Sequence, residues 1–224
     1  MKQDGISAFP LVYNPVYTRG ILSTVSQSDA MPRQYTPILL NLPDHLETEQ
    51  LLLRAPQAGD GEAVHQAILE SASTLRPWMT WANPLPSRDQ TEASVRHAAA
   101  NFLKRESLRF HIYRKEDGLF LGSTALQNID WSIPCFEIGY WLRVSMEGKG
   151  YMTEAVTALT RFTFDTLGAQ RVEIRCDARN RPSIDVAQRV GYKLEGRLRR
   201  ERRDAKGNLS DTLIFARIVS DAHQ

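Results

Sequence analysis

The residues from Trp141 to Glu154 join a strand-like segment to a helix-like segment through a turn that contains Gly148 and Gly150. The first N–H groups of such a helix have no partners within it, and the helix dipole makes that end positive. Glycines let the backbone approach an anion closely, and Lys149 adds a positive charge. The turn therefore indicates a phosphate or pyrophosphate site, although a tight strand-to-helix turn alone would also favour two glycines. The spacing does not fit a Walker loop or a dinucleotide-binding fingerprint.

The elements that position this turn follow from the periodicity of the apolar residues. The predicted strands are 49–55, 110–114, 120–128, 136–144, 171–177, 192–199 and 211–218. The predicted helices are 59–73, 89–105, 151–167 and 183–190, and Ala63, Ile68 and Leu69 in the first are expected to face the core. An antiparallel meander followed by β-α-β-α-β-β indicates the α+β class. We expect a twisted mixed sheet of six to seven strands flanked by about four helices.

The composition excludes several classes of protein. The 224 residues include 42% hydrophobic and 24% charged residues, as in ordinary globular domains, and a net charge of +2 does not favour nucleic acid. The two cysteines, Cys135 and Cys176, lie in apolar segments, which indicates buried thiols in a reducing compartment. No apolar run has the length of a membrane span, and the N-terminus lacks the core of a signal peptide. The five histidines show no metal-ligand spacing. We therefore expect a cytoplasmic protein without a metal.

Several stretches resemble one superfamily. They are Leu75–Trp81, Phe136–Leu142, Glu147–Met152, and Asn180–Ser183 followed by Val190-Gly191-Tyr192. The third resembles the acetyl-CoA loop of GNAT acyltransferases, Gln/Arg-x-x-Gly-x-Gly/Ala, although Glu147 and Met152 depart from that pattern. The first resembles a substrate-side loop of the RimJ/RimL branch, the N-terminal acetyltransferases of ribosomal proteins. The resemblance covers roughly residues 47–218.

This resemblance implies a GNAT-type sheet whose central strands splay apart and hold acetyl-CoA. It implies that the pantetheine arm lies in the gap, where Leu142 and Val144 are the candidates for backbone contacts. The residues implied at the pyrophosphate are Glu147, Gly148, Lys149, Gly150, Tyr151 and Met152. Asn180 either binds the pantetheine amides or only holds its turn.

Two residues are candidates for catalysis. Glu137 is a carboxylate in an otherwise apolar strand, where burial is expected to raise its pKa towards the range of a general base that acts through a water. A purely structural hydrogen-bonding role fits Glu137 equally well. Ser183 is implied to lie near the cofactor sulfur and to assist the departing thiolate, because Ala187 stands where many superfamily members have a tyrosine. The alternative for Ser183 is a helix N-cap, a role for which Asn180 competes.

The candidates for binding the acceptor are an aromatic loop and a basic run. Trp78 and Trp81 either line the acceptor slot or cover the core. The run Arg197–Arg203 fits a solvated sheet edge or a surface that steers an acidic substrate. A nucleic-acid site fits it least, because no aromatic residues are interleaved.

These observations predict transfer of an acetyl group from acetyl-CoA to a primary amine, in particular the N-terminal α-amine of an acidic ribosomal protein. The alternatives are a small aminoacyl or amine metabolite as acceptor, and a non-catalytic acyl-CoA-binding module. We expect a monomer or homodimer with no membrane partner. Residues 1–36 show no sustained period and predict a poorly ordered extension, of which the first 30 residues are expected to be dispensable, and residues 37–222 are predicted to form the N-acetyltransferase domain.

Overall fold

The computed structural model describes residues 36–204 and 207–221. The strands in this part of the chain are His45–Glu47 (β1), Leu51–Arg54 (β2), Leu108–Arg114 (β3), Phe120–Asp130 (β4), Cys135–Leu142 (β5), Arg171–Asp177 (β6), Lys193–Arg203 (β7) and Leu209–Ile218 (β8). The α-helices are Gly61–Glu70 (α1), Ala72–Leu75 (α2), Arg88–Lys104 (α3), Tyr151–Asp165 (α4) and Arg181–Arg189 (α5). The predicted N-terminal extension lies outside the described residues except for Thr36, and it stays a prediction.

All these strands form one mixed sheet in the order β1-β2-β3-β4-β5-β6-β8-β7. β5 and β6 run parallel, and the other neighbouring strands run antiparallel. The predicted α+β architecture is confirmed, but the described residues form eight strands rather than six or seven. The additional strand, β1, has one half-buried residue, Leu46, between two exposed neighbours. Three residues are too few to show a period of two in the sequence.

The parallel strands β5 and β6 pair over a short length only. The paired residues are Cys135 with Arg171, Phe136 with Val172 and Glu137 with Glu173. Beyond this point β5 continues to Leu142 beside β4, and β6 continues to Asp177 beside β8. A gap therefore opens between the carboxyl-terminal halves of β5 and β6, as the resemblance implied.

The core explains how the helices are oriented on the sheet. α4 buries Met152, Ala155, Val156 and Leu159, which recur at helical spacing, and Phe162 of the same helix lies 6.1 Å from the ring of Phe110. A second apolar cluster beneath α1 and α3 consists of Val64, Ala67, Ile68, Val95 and Phe120. Each fully buried side chain of this kind contributes roughly 1.5–3 kcal/mol to the free energy of unfolding.

The orientation of α1 differs from the prediction at two positions. Ile68 is buried as expected, but Ala63 is exposed and Leu69 is 46% exposed. The buried positions include Gly61, Val64 and Ile68, and this spacing of three and four residues fixes the inner stripe. The prediction for Ala63 and Leu69 was therefore wrong, because apolar residues also occur on the outer face of this short helix.

A buried polar network anchors the start of α1 to β2 and β3. The Asp60 carboxylate accepts hydrogen bonds from Arg54 at 2.6 and 2.8 Å, from the Gln57 N–H at 2.9 Å, and from His111 Nδ1 at 2.9 Å. Burial opposes ionisation of Asp60, but His111 and Arg54 outweigh it and hold the pKa of this carboxyl well below its usual range. Burial also lowers the pKa of His111, whose side chain is 1% exposed. The network therefore combines an ionised Asp60 with a neutral His111.

We predict that Asp60→Asn destabilises the fold strongly, by about 3 kcal/mol, because it leaves Arg54 half-buried without its charged partner. The free energy of unfolding, measured by denaturant titration, checks this result. Asp44→Asn is the matched control, since the Asp44 side chain is 79% exposed and its pair with His45 lies in solvent. Equal small effects in both variants would contradict the anchoring role of Asp60.

Candidate active site

The glycine turn forms an open cradle at the start of α4. Gly148 and Gly150 have φ of +73° and +85°, in the left-handed region, and a Cβ at either position would meet no atom within 4 Å. Gly150 is the N-cap residue, and within the described residues no side chain caps the helix. The N–H groups of the first turn are thus available to an anion that approaches from this open side.

The residues around these glycines contribute in different ways. Tyr151 and Met152 are 8% and 7% exposed, so their side chains belong to the core and only their backbone N–H groups can face an anion. Lys149 is exposed and its Nζ lies 3.6 Å from the Met146 sulfur. Desolvation raises the pKa of Glu147, the acidic residue that precedes Gly148 in the loop. The cradle therefore depends mainly on backbone groups.

The backbone of β5 presents polar groups to the gap. The Arg143 N–H donates to the Leu121 carbonyl at 2.7 Å, on the β4 side. Because hydrogen-bonded residues alternate along an antiparallel pair, the backbone groups of Tyr140 and Leu142 point away from β4, towards β6. Both residues lie beyond the paired part of β5 and β6.

Val144 differs from Leu142 in this respect. The Val144 N–H donates to Ser71 Oγ at 3.0 Å, and its carbonyl accepts from the Glu147 N–H at 3.2 Å. Both backbone groups of Val144 are engaged within the protein, so the geometry favours Leu142 as the contact for a bound pantetheine. The sequence could not show this, because Ser71 lies more than seventy residues away.

Ser183 lies beside the gap, in the first turn of α5. Asn180 is the N-cap residue, and its Oδ1 accepts from the Ser183 N–H at 3.3 Å. The cap role considered for Ser183 is therefore filled by Asn180, and the Ser183 hydroxyl is free for another contact. That contact is Tyr140 of β5, whose hydroxyl oxygen lies 2.9 Å from Ser183 Oγ and 3.1 Å from the Ser183 carbonyl oxygen. Ala187 is fully buried in the core and offers no acid from α5.

The same position lies next to a thiol. Burial raises the pKa of Cys176 on β6, and the neighbouring Ser183 hydroxyl offsets this shift only in part. Cys176 is 4% exposed, so it remains a neutral thiol rather than a nucleophilic thiolate. Ser183 thus meets Tyr140 from one splayed strand and Cys176 from the other.

A second ionic network fixes the turn between β6 and α5. The Asp177 carboxylate accepts from the Arg179 N–H at 2.9 Å, from the Arg179 guanidinium at 3.0 Å, and from the Ser210 hydroxyl. Burial opposes ionisation of Asp177, but Arg179 and Ser210 outweigh it and lower the pKa of Asp177 to about 2. This turn carries Asn180 and thereby sets the start of α5.

Glu137 lies at the closed end of the gap, in the last paired position of β5 and β6. Its carboxylate accepts from Gln127 Nε2 and Asn128 Nδ2, both at 2.9 Å. These contacts match the structural alternative considered for Glu137, and its role as a base stays a prediction.

Glu201, a carboxylate on β7 within the basic run, was not among the site residues predicted from the sequence. Glu201 lies 3.2 Å from the guanidinium of Arg175 and accepts from Thr212 Oγ1 at 2.6 Å. Arg175 belongs to the half of β6 that borders the gap. The sequence feature that could have pointed to Glu201 is that it is the one acidic residue within the run Arg197–Arg203.

The aromatic loop and the basic run meet beside this part of the sheet. Trp81 is 43% exposed, and its ring centroid lies 6.2 Å from that of Trp141, at an interplanar angle of 61°. The Trp78 carbonyl accepts from Arg202 Nη2 at 3.1 Å, and Trp78 itself is half-buried. Arg202 thus holds the aromatic loop against β7. This residue of the basic run therefore makes a contact within the protein, whereas a side chain on a purely solvated edge would contact only water.

Two absences concern the described part of the chain. Within residues 36–204 and 207–221, no group of three or more His, Cys, Asp and Glu side chains is arranged to hold a metal ion. None of the helices in those ranges has the length and apolar character needed to cross a bilayer.

A parallel pair that splays beside an anion cradle has free backbone groups of the kind that suit a pantetheine and free N–H groups of the kind that suit a pyrophosphate, as an acyl-CoA-dependent acyltransferase requires. Comparison with known proteins agrees, since residues 50–193 match the family described as Acetyltransferase (GNAT) domain. The chain belongs to this family. It is an acetyl-CoA-dependent N-acetyltransferase related to the RimL and RimJ enzymes.

Three similar proteins illustrate this relationship. An uncharacterized N-acetyltransferase, p20, of Bacillus licheniformis is 31% identical over 76% of this chain and 94% of its own length. The ribosomal-protein-serine acetyltransferase of Escherichia coli is 29% identical over 77% of this chain and 94% of its own length. A solved RimL structure, a ribosomal L7/L12 α-N-protein acetyltransferase, superposes with a TM-score of 0.73 at 25% identity, covering 78% of this chain and 97% of that one. That structure contains coenzyme A joined to a cysteine by a disulfide.

We predict that Gly150→Val weakens binding of coenzyme A roughly 10- to 100-fold, because the side chain fills the space in which an anion meets the helix N-terminus. Calorimetric titration with coenzyme A measures the affinity, and thermal unfolding measures the cost to the fold. Gly59→Val is the matched control, since Gly59 also has a positive φ, +99°, with no atom near its added Cβ. Both variants should lose similar stability, and only Gly150→Val should lose affinity. Unchanged affinity in Gly150→Val would remove the argument for the cradle.

Proposed function

We propose that this enzyme transfers the acetyl group of acetyl-CoA to the N-terminal α-amine of a protein, and that ribosomal proteins are the acceptor class. The observation that carries the proposal is the pair of Trp81 and Trp141, whose ring centroids lie 6.2 Å apart, with Trp141 on β5 beyond its paired part and Trp81 exposed on the aromatic loop. An acceptor that is one end of a long chain needs a slot open to solvent, and Trp81 is 43% exposed. The names of two relatives, a ribosomal-protein-serine acetyltransferase and an L7/L12 α-N-acetyltransferase, support the same class.

The arrangement supports direct transfer. The cradle at Gly148 and Gly150 would hold the pyrophosphate, and the Leu142 backbone would hold the pantetheine across the gap. The amine then attacks the thioester carbonyl carbon, the carbon–sulfur bond breaks, and its electron pair leaves with the sulfur. Cys176 is a buried thiol with a raised pKa, so a covalent acetyl-enzyme is not favoured.

The amine must also lose a proton. Glu137, acting through a water, is the base that the sequence predicts, and Glu201 is the carboxylate that the geometry adds beside Arg175. Either carboxylate would act through an ordered water, because both already accept hydrogen bonds from protein groups.

We predict that the two carboxylates differ when each is replaced by its amide. Glu201→Gln should lower kcat about 10²-fold, since it removes the carboxylate that lies beside Arg175 in the half of β6 that borders the gap. Glu137→Gln should leave kcat within a few-fold of the original. The new amide keeps an oxygen that can accept from Gln127 or Asn128, so a purely structural role would be largely preserved. The reverse result would restore Glu137 as the base and make Glu201 the structural residue.

An acceptor screen tests the proposed function. Free thiol release from acetyl-CoA is measured with peptides that carry different N-terminal residues, with the same peptides N-acetylated beforehand, and with small aminoacyl amines. We expect thiol release with free N-termini only, and mass spectrometry should place the acetyl group on the α-amine. Release with small amines alone would contradict a protein acceptor. Calorimetric binding of acetyl-CoA without any release would favour the non-catalytic module instead.

A further inference from the structure

Tyr140 bridges β5 and the first turn of α5. It lies on β5 beyond the last residue paired with β6, and its side chain reaches across to the first turn of α5. Its hydroxyl is 2.9 Å from Ser183 Oγ and 3.1 Å from the Ser183 carbonyl oxygen. Burial raises the pKa of Tyr140, and the bond to Ser183 opposes this shift without cancelling it. Tyr140 therefore keeps its proton throughout the physiological range.

A phenol has a single hydrogen, so two arrangements are available to this pair. In the first, Tyr140 donates to the Ser183 carbonyl oxygen and accepts from the Ser183 hydroxyl, which leaves Ser183 without a hydrogen for any other acceptor. In the second, Tyr140 donates to Ser183 Oγ, and the Ser183 hydrogen is free to point into the gap. Negative charge on a sulfur in the gap favours the second arrangement, because only that arrangement directs a donor at the charge.

We propose that Tyr140 is a positioning residue for the departing thiolate, which it serves by donating a hydrogen bond to Ser183 while Ser183 donates to the cofactor sulfur. This inference rests on the proposed function, since it needs a thioester in the gap. Hydrogen bonds in a chain polarise one another, so the Tyr140 hydroxyl makes Ser183 a stronger donor than an isolated serine. Asn180 positions Ser183, because its side chain accepts from the Ser183 N–H. Asn180 thereby caps the helix and leaves the Ser183 hydroxyl free of that role.

The proton balance needs no ionisation of Tyr140. When the carbon–sulfur bond breaks, the electron pair goes to sulfur, and the two hydroxyl groups stabilise that charge through the chain of hydrogen bonds. The thiolate is then neutralised by the proton that the attacking amine releases, through water, and Tyr140 and Ser183 end the cycle as they began it. The interaction strengthens only as charge develops on sulfur, so it should act on kcat rather than on the binding of acetyl-CoA.

A double-mutant cycle tests the inference on the full-length enzyme with an acceptor peptide from the screen. Ser183→Ala should lower kcat about 10²-fold and Tyr140→Phe about tenfold, while KM for acetyl-CoA changes little in both. The double variant should be no slower than Ser183→Ala alone, because Tyr140 acts only through Ser183. A multiplied loss in the double variant would overturn the proposal, and so would an unchanged kcat in Tyr140→Phe.

Tyr192→Phe is the matched control for loss of a buried phenol hydroxyl. Tyr192 is buried, and its hydroxyl pairs with Thr160 Oγ1 at 2.8 Å rather than with Ser183. Tyr140→Phe and Tyr192→Phe should lower the melting temperature by similar amounts, but only the first should lower kcat. If Tyr140→Phe fails to fold, Tyr140→Met supplies a flexible apolar replacement for the same kcat comparison. An active enzyme with unchanged kcat in these variants overturns the role of Tyr140 alone, whereas a wild-type chain that releases no coenzyme A overturns the proposed function with it.

Discussion

The end of the pairing between β5 and β6 is the constraint on which the rest of the structure depends. Parallel strands in the middle of a sheet normally satisfy each other's backbone along their whole length, and unpaired polar groups there carry a free-energy cost. Here the pairing ends at Glu137 and Glu173, yet both strands continue, because β4 and β8 still hold their outer edges. The inner edges are left for water or for a ligand with amides of its own. A pantetheine arm has such amides and can take the place of a strand.

The parallel direction of this pair also explains why the two functional turns lie together. Each strand is followed by a helix, α4 after β5 and α5 after β6, so both helices begin at the same end of the pair, where the gap is open. In open sheets, ligands bind at the carboxyl ends of parallel strands for this reason. One helix start offers free N–H groups at Gly150, and the other is capped by Asn180 and presents the Ser183 hydroxyl. One helix start therefore suits a fixed anion, while the other suits a group whose charge appears only during the reaction.

A feature of the site could be predicted from the sequence only where the residues that form it lie close together along the chain. The glycine turn, the helices that flank the gap and most strands are local patterns, and the structure contains them. Asn180 and Ser183 are three residues apart, so the sequence alone showed that both were candidates for the N-cap of α5. The contacts of Val144 with Ser71, of Tyr140 with Ser183 and of Trp78 with Arg202 join residues that are 43 to 124 positions apart. No periodicity records such contacts, because they depend on how the sheet is folded. The role of Glu137 stays a prediction for the same reason, since alternation gives a face but not the distance to the end of the gap.

The distribution of charge separates the residues that hold the fold from those that surround Ser183 at the gap. Asp60, which is half-buried, and Asp177, which is buried, are both ionised, and each is surrounded by several donors that hold α1 and the turn before α5 in place. The groups around Ser183 are neutral by contrast, because burial keeps both Tyr140 and Cys176 protonated. A carboxylate at this position would repel a developing thiolate, and a lysine or arginine would retain the thiolate after the reaction and slow its release. Neutral hydroxyl donors interact weakly with the uncharged thioester and more strongly with the charged leaving group, so their stabilisation falls mainly on the transition state. Weak donors of this kind act only when they are well placed, and the Asp177 network contributes to that placement by holding the turn that carries Asn180.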